Sequence, residues 1–236
     1  CNTMPKRLLQ QRQGTGEGRF RSPKHRYIGA SRVLDKDTYQ IKELLRSPAH
    51  TAPVMRVEYN DGTESIVVAP EGVVEGETYQ INPDGDLDEG DISELGDIPE
   101  GTTISNIEAQ PGDGGCYVKA SGAEARITNK DDDEVTVLLP SDQTKTFNAQ
   151  CKAVIGRIAG GGRTEKPFLK AGKKHHIMEA QHRFYPRVSP TSMNAVSHPF
   201  GNSRSLRKSK AKPAPKNAPP GRRVGSIRPN QQGRKR

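Results

Sequence analysis

The stretch PVMRVEYNDGTESIVVA, residues 53–69, decides the fold class. It holds two short extended runs, 53–59 and 64–69, on either side of Asn60, Asp61 and Gly62. Asn, Asp and Gly tolerate the positive φ that a tight hairpin turn demands, so the triplet marks a turn between two strands. In the first run Met55, Val57 and Tyr59 fall on one face and Val54, Arg56 and Glu58 on the other. That period of two belongs to a strand, whose successive side chains point to opposite faces.

The same punctuation recurs on both sides. Residues 38–46 (TYQIKELLR) precede the hairpin across a Pro/Ser/His turn, and Pro70-Glu71-Gly72 and a short TYQI run at 78–81 come after it. A second strand series is expected at 102–108, 116–120, 124–129, 134–139 and 150–158. The loop Pro111-Gly112-Asp113-Gly114-Gly115 and the turn at Pro140, Ser141 and Asp142 divide it. Residues 82–101 are acidic and turn-rich and are expected to be a hinge. No part of 35–158 keeps helical periodicity over the ~11 residues that would define a helix. Closely spaced strands with Gly/Pro punctuation predict an all-β fold of two small barrels with long, basic, irregular extensions at both ends. At ~50–60 residues each barrel lies near the lower limit for independent stability.

Composition agrees. Only 31% of the 236 residues are hydrophobic and 5% aromatic, with no Trp. Globular domains run at roughly 45–50% apolar on a count that includes Gly, so one core spanning the chain is excluded. No apolar run approaches the ~20 residues that span a bilayer. The opening CNTMPKRLLQ lacks the apolar stretch of a signal peptide. Neither a membrane nor a secreted protein is expected.

The formal charge of +9 conceals a partition. Residues 1–34 carry eight Lys/Arg and one Glu, a net of +7; residues 35–151 carry eight against 25 Asp/Glu, a net of −17. Residues 152–236 carry 21 against two Glu, a net of +19. Basic ends of this strength repel themselves and call for a polyanion, whereas the acidic middle must face water or cations.

The basic ends carry the motifs. In QGTGEGRFRSPKHRY (13–27), Arg19, Arg21, Lys24, His25 and Arg26 interleave with Phe20 and Tyr27. Cations neutralise phosphates, while aromatic rings and guanidinium planes stack on unpaired bases. In GGGRTEKPFLKAGKKHH (160–176) the three glycines before Arg163 match neither the Walker pattern nor a strand–GxGxxG–helix context, so backbone contact with a polynucleotide phosphate is favoured over nucleotide binding. From 177 onward the chain is Pro-rich and cannot bury enough of itself to fold alone, which suits ordering on RNA. His176 and His182 stand six apart, off the i, i+4 spacing of helix-borne zinc ligands, and no carboxylate pattern is apparent beside them. Cys1, Cys116 and Cys151 are widely spaced with no CxxC, which fits a reducing compartment rather than a disulfide framework or a Cys-based zinc site. No nucleophile motif is present, and neither catalysis, a metal nor a cofactor is expected.

The segments FRSPKHRY (20–27), PGDGG (111–115), AGGGRTEKPFLKAGKKHH (159–176), MNAVSHPFG (193–201) and NAPPGRRVGSI (217–227), in this order, closely resemble the universal large-subunit ribosomal protein L-two family in its archaeal-type form. The resemblance covers nearly the whole chain. Within the tail motif Met193, Asn194, His198, Pro199 and Gly201 match, whereas Ser189, Pro190, Ser197, Asn202 and Ser203 depart from the family pattern.

The resemblance implies an OB-fold barrel over 35–90 and an SH3-like barrel over 91–170. Basic rRNA-binding extensions, 1–34 and 171–236, would flank them. It implies rRNA contacts at Arg19, Arg21, His25, Arg26 and Tyr27, at Gly160, Gly161, Gly162, Arg163, Lys166 and Lys170, at Lys173, Lys174, His175 and His176, and at Asn194, His198, Arg222 and Arg223. The expected partners are large-subunit rRNA near the peptidyl-transferase region, neighbouring large-subunit proteins and the small subunit at the interface. A membrane or small-molecule substrate is not expected. The other function class is a free single-strand nucleic-acid-binding module of the OB type, which needs several exposed stacking aromatics on one barrel.

Overall fold

Tyr59 donates its backbone N–H to Thr63 and accepts one from Gly62, closing the predicted hairpin, with Gly62 at φ 78° and the Asp61 carboxylate accepting the Thr63 N–H. In the computed structural model, which describes residues 7–21, 28–83, 85, 87–201, 217–218 and 221–225 (Gln10 and Arg19 in backbone only), this hairpin joins β2 (Val54–Tyr59) to β3 (Glu64–Val68). With β1 (Thr38–Leu45) and β4 (Thr78–Gln80) they make an antiparallel sheet in the order β3-β2-β1-β4. Met55, Val57 and Tyr59 are buried, as the alternation predicts, against Tyr39, Ile41, Val67 and Ile81.

A second antiparallel sheet has the order β5-β10-β6-β7-β8-β9. Its strands are β5 (Ile92–Glu94), β6 (Thr103–Ser105), β7 (Ala125–Lys130), β8 (Glu134–Leu138), β9 (Thr144–Asn148) and β10 (Lys152–Ile155). Its core holds Leu95, Ile98, Ile104, Ile107, Ile127, Val135, Val137 and Phe147. The fold is all-β, as expected.

The two cores share walls. On β10, Val154 is buried in the first core, while Ala153 and Ile155 are buried in the second. On the neighbouring strand Ile92 joins the first core, and Leu95 and Ile98 beyond it the second. Ile81 at the end of β4 bridges in parallel to Ile92. Residues 82–101 are therefore not a hinge. Their acidic composition conceals Ile92, Leu95 and Ile98, all essentially without exposure, and a buried Asp91 whose carboxylate accepts the Gln80 and Asp88 N–H groups.

Three other local expectations shift. Residues 116–120 form no strand: Tyr117 makes one isolated bridge to Ile107, and Val118 turns to φ 55°, which ends an extended run. Strand β9 escaped sequence reading because Phe147 is its sole large apolar residue, so the period of two was invisible. Two helices, α1 (Leu9–Gly14) and α2 (Ala171–Ala180), lie outside the β region, and α2 buries none of its residues, so no apolar stripe announces it.

The chain divides into two compact units, Pro23–Leu169 with both sheets, and Cys1–Ser22 with Lys170–Arg236. In the first, Ser31–Leu34 are tied down: Arg32 donates its N–H to Ile66, Val33 to Gly114, and Leu34 to the Tyr59 hydroxyl.

The loop at 111–115 is organised by two carboxylates. Buried Glu108 accepts the N–H groups of Gly112 (3.1 Å), Gly114 (2.9 Å) and, from β10, Lys152 (2.9 Å). Asp113 accepts those of Ala109, Gln110 and Gly115. A side chain at Gly114 would overlap Arg32, and one at Gly115 would overlap Asn106. Because Glu108 is 3% exposed and its bond to Gly114 is buried, Glu108→Ala strands the Gly114 N–H away from water, while the Gly112 and Lys152 N–H groups lose a partner at part-buried sites. A buried unsatisfied group costs about 1–3 kcal/mol, so urea unfolding of the variant is expected to show a loss of about 1–3 kcal/mol. A loss below about 1 kcal/mol would mean that solvent or a neighbour replaces the carboxylate.

Candidate nucleic-acid interface

Strand β10 delivers the chain directly into the triple glycine. Ile158, fully buried, exchanges backbone hydrogen bonds with the turn at 122–123, and Ala159 donates to Ala69. Gly160 adopts the left-handed conformation, φ 81° and ψ 30°, and opens a 3-10 turn over Gly161–Arg163. The three glycines differ in what they do. Gly160 supplies the positive φ that other residues rarely adopt. Gly161 lies backbone to backbone against Gly122, whose own φ is +68° and where a Cβ would overlap Gly161. Gly162 faces open space. Backbone conformation thus accounts for Gly160 and the close approach of Gly161 for Gly122, while the open space at Gly162 leaves room for a phosphate to approach. Arg163 Nε donates to Ser121 Oγ at 2.8 Å, fixing the turn to the body.

Beyond this turn every residue from 161 to 173 is exposed, including Arg163, Lys166, Lys170 and Lys173. Phe168 and Leu169 stand 47% and 80% exposed among them. The body that precedes the stretch is acidic, so this is where cationic side chains first present themselves without a core behind them. Lys119 is the opposite case. Its ammonium donates to the Ser31 and Gly115 carbonyls at 2.9 and 2.8 Å, and burial lowers its pKa. Nothing in the spacing of Lys119 marks it as the clasp between the N-terminal segment and the 111–115 loop.

In the second unit, α2 carries Lys173, Lys174, His175 and His176. It ends in a Schellman-type cap, with Arg183 N–H to Met178 and His182 N–H to Glu179, and His182 holds the left-handed position at φ 55°. Lys174 Nζ lies 5.5 Å from the centroid of the Tyr185 ring. Glu179, which no motif in the sequence marks, sits 3.7 Å from His176 Nδ1 one helical turn on.

The MNAVSHPFG segment winds around Asn194. Its carbonyl accepts the N–H groups of Ser197 (2.9 Å) and His198 (3.2 Å), and Gly201 is buried so tightly that a Cβ would overlap the Met193 and Asn194 carbonyls. His198 is 5% exposed, and its Nδ1 accepts the Phe200 backbone N–H at 3.0 Å. A nitrogen that accepts carries no proton, so the ring is neutral with its hydrogen on Nε2. The Phe200 ring packs against it at 5.3 Å.

Of the remaining expected site residues, Arg21 is exposed beside the 3-10 turn Gly18–Phe20 that contains Arg19, and Arg222 and Arg223 are exposed. His25, Arg26 and Tyr27 lie outside the described residues. The structure joins Gly160–Arg163 into one turn, Lys173–His176 onto one helix, and Asn194 to His198.

Burial depresses the His198 pKa. With the folded value below the unfolded one, protons bind the unfolded chain first. The loop is therefore at full stability above about pH 6.5 and loses it as pH falls through that value. An NMR titration of the free full-length chain is expected to give His198 a midpoint below 6.5, the ordinary imidazole value. A midpoint at or above it would contradict the neutral, accepting ring.

A family model described as Ribosomal Proteins L2, C-terminal domain, matches residues 88–218. The large ribosomal subunit protein uL2 of Haloquadratum walsbyi is 44% identical over 236 residues, covering 98% of this chain and 97% of that protein. The protein of that name from Natronomonas pharaonis is 42% identical over the same length, with the same coverage of each. That of Archaeoglobus fulgidus is 42% identical over 228 residues, 95% of this chain and 96% of that protein.

Proposed function

This chain belongs to the uL2 family of large ribosomal subunit proteins, and on that premise we propose that it is built into the large subunit by binding large-subunit rRNA near the peptidyl-transferase region, where it supports assembly, subunit association and translation. The family is one of ribosomal structural proteins, not of enzymes, and its place is the cytoplasm, within the large subunit. The partners are rRNA, neighbouring large-subunit proteins and the small subunit at the interface, with no cofactor.

The carrying observation is the succession from an acidic, folded body of net −17 to the wholly exposed, cationic run at 161–173. Such a body cannot lie along a polyanion over its whole surface, so the flanks must carry the affinity. On this reading 35–90 is an OB-fold barrel and 91–170 an SH3-like barrel, with rRNA-binding extensions at 1–34 and 171–236. Ser31–Leu34 are the part of the first extension that the body holds. Arg19, Arg21, His25, Arg26, Tyr27, Gly160–Gly162, Arg163, Lys166, Lys170, Lys173, Lys174, His175, His176, Asn194, His198, Arg222 and Arg223 are the proposed contacts. His198 acts as a packing and hydrogen-donating group, its Nδ1 being already taken by Phe200.

The reading as a free single-strand binder finds little support. Tyr39, Tyr59 and Phe147 are buried in the two cores rather than displayed as stacking platforms.

Co-sedimentation with large subunits should survive a high-salt wash, whereas a casual binder would be lost. Replacing Lys166, Lys170 and Lys173 together by Gln is expected to weaken binding to large-subunit rRNA. It should also reduce the slope of log K against log salt by about 2, at ~0.7–0.9 per phosphate contact. An unchanged slope in filter binding across a potassium chloride series would remove this run from the interface.

A further inference from the structure

On α2 the helical order 175, 176, 179 sets three ligand-bearing side chains side by side. At 100° per residue Glu179 falls between His175 and His176 on the helix surface. One imidazole nitrogen from each histidine and a carboxylate oxygen all lie within 4.8 Å of one another. Gly172, one turn earlier on the same face, leaves open space beside them. Lys173 and Lys174 point outside this arc, and Lys174 Nζ is 5.5 Å from the Tyr185 ring centroid. In the linear sequence His176 and His182 stand six apart with no carboxylate pattern beside them; the helix supplies a carboxylate by bringing Glu179 back over His175 and His176.

We propose that His175, His176 and Glu179 form a binding site for a divalent transition-metal ion of the Zn²⁺ class. Two imidazole nitrogens and one carboxylate oxygen are a donor set for borderline ions, and imidazole favours Zn²⁺ or Co²⁺ over Mg²⁺ or Ca²⁺, which prefer all-oxygen shells. Three protein ligands leave the fourth tetrahedral position to water or to an anionic oxygen. Two neutral imidazoles and one carboxylate leave a bound divalent ion with a net charge of +1. The occupied site therefore adds positive charge to an already cationic stretch. The ion also clamps residues four apart on a helix that buries nothing of its own, so binding holds α2 in its helical form. All three ligands belong to the free chain, and the site does not depend on the RNA-binding reading.

The test is a titration of the full-length protein with Co²⁺, monitored by visible d–d absorption, and then displacement by Zn²⁺. The expected result is one equivalent bound with a tetrahedral-type spectrum that Zn²⁺ abolishes. His176→Ala and Glu179→Gln should each weaken Co²⁺ at least tenfold, and His50→Ala, in the β body, should leave it unchanged. Because α2 buries no residue, these substitutions remove no core, and far-UV circular dichroism of the metal-free variants should match the parent. Hydrogen exchange provides a second readout: amides of 175–180 should exchange more slowly with Zn²⁺ in the parent but not in Glu179→Gln. Absence of a d–d spectrum at one equivalent, or equal Co²⁺ affinity in the parent and both ligand variants, would overturn the site. Loss of rRNA affinity with metal binding intact would bear only on the proposed function.

Discussion

Strand β10 is the constraint on which the rest of the body depends. Its alternation sends Val154 into one core and Ala153 and Ile155 into the other, so neither sheet can complete its interior without it. Both cores are small, and a shared wall lets each bury apolar surface that a domain of its size could not cover alone. The same strand donates the Lys152 N–H to Glu108, which organises the 111–115 loop, and that loop receives Val33 from the N-terminal segment. One four-residue strand thus links both cores, the principal loop and the incoming chain.

The segment leaving β10 gains its geometry from the strand. Ile158 and Ala159 are pinned to the turn at 122–123 and to Ala69, and only then does the backbone turn left-handed at Gly160 and emerge. The exposed Arg163 and Lys166 are therefore carried from a fixed root rather than hung from a loose end. A fixed root spares part of the ordering entropy that a free tail loses when it meets a partner.

The electrostatics divide along the same line. Carboxylates inside the body are used structurally: Glu108, Asp91 and Asp113 accept backbone N–H groups that loops would otherwise leave unsatisfied. Cations inside it behave in the same way, as Lys119 does between two carbonyls. Beyond Gly160, Arg163 still ties its turn to Ser121, whereas Lys166, Lys170 and Lys173 stand exposed to solvent. His198 stands between these cases, a buried ring whose accepting nitrogen is already occupied and whose remaining hydrogen is on Nε2.

Much of this is legible in the residues. The hairpin at 53–69, the faces of β2, the all-β class and the charge partition all rest on local signals: turn chemistry, a period of two, and counting. The order of five motifs is enough to mark the family. The features hidden from the sequence are long-range. Residues 82–101 read as a hinge because Asp and Glu dominate them, yet Ile92, Leu95 and Ile98 point inward, and which way a side chain points is set by pairing with β10, a strand far along the chain. Strand β9 and helix α2 lack an apolar stripe; β9 is held by its pairing with β8, and α2 by its own backbone bonds. The triple glycine looks like a single phosphate-binding device, but Gly161 packs against Gly122, where a Cβ would overlap it, a contact between backbones that leaves no trace in composition. Local propensity and pattern determine elements. Only the packed structure decides which elements share a core and which residues meet, because those contacts join positions that the chain alone does not make neighbours.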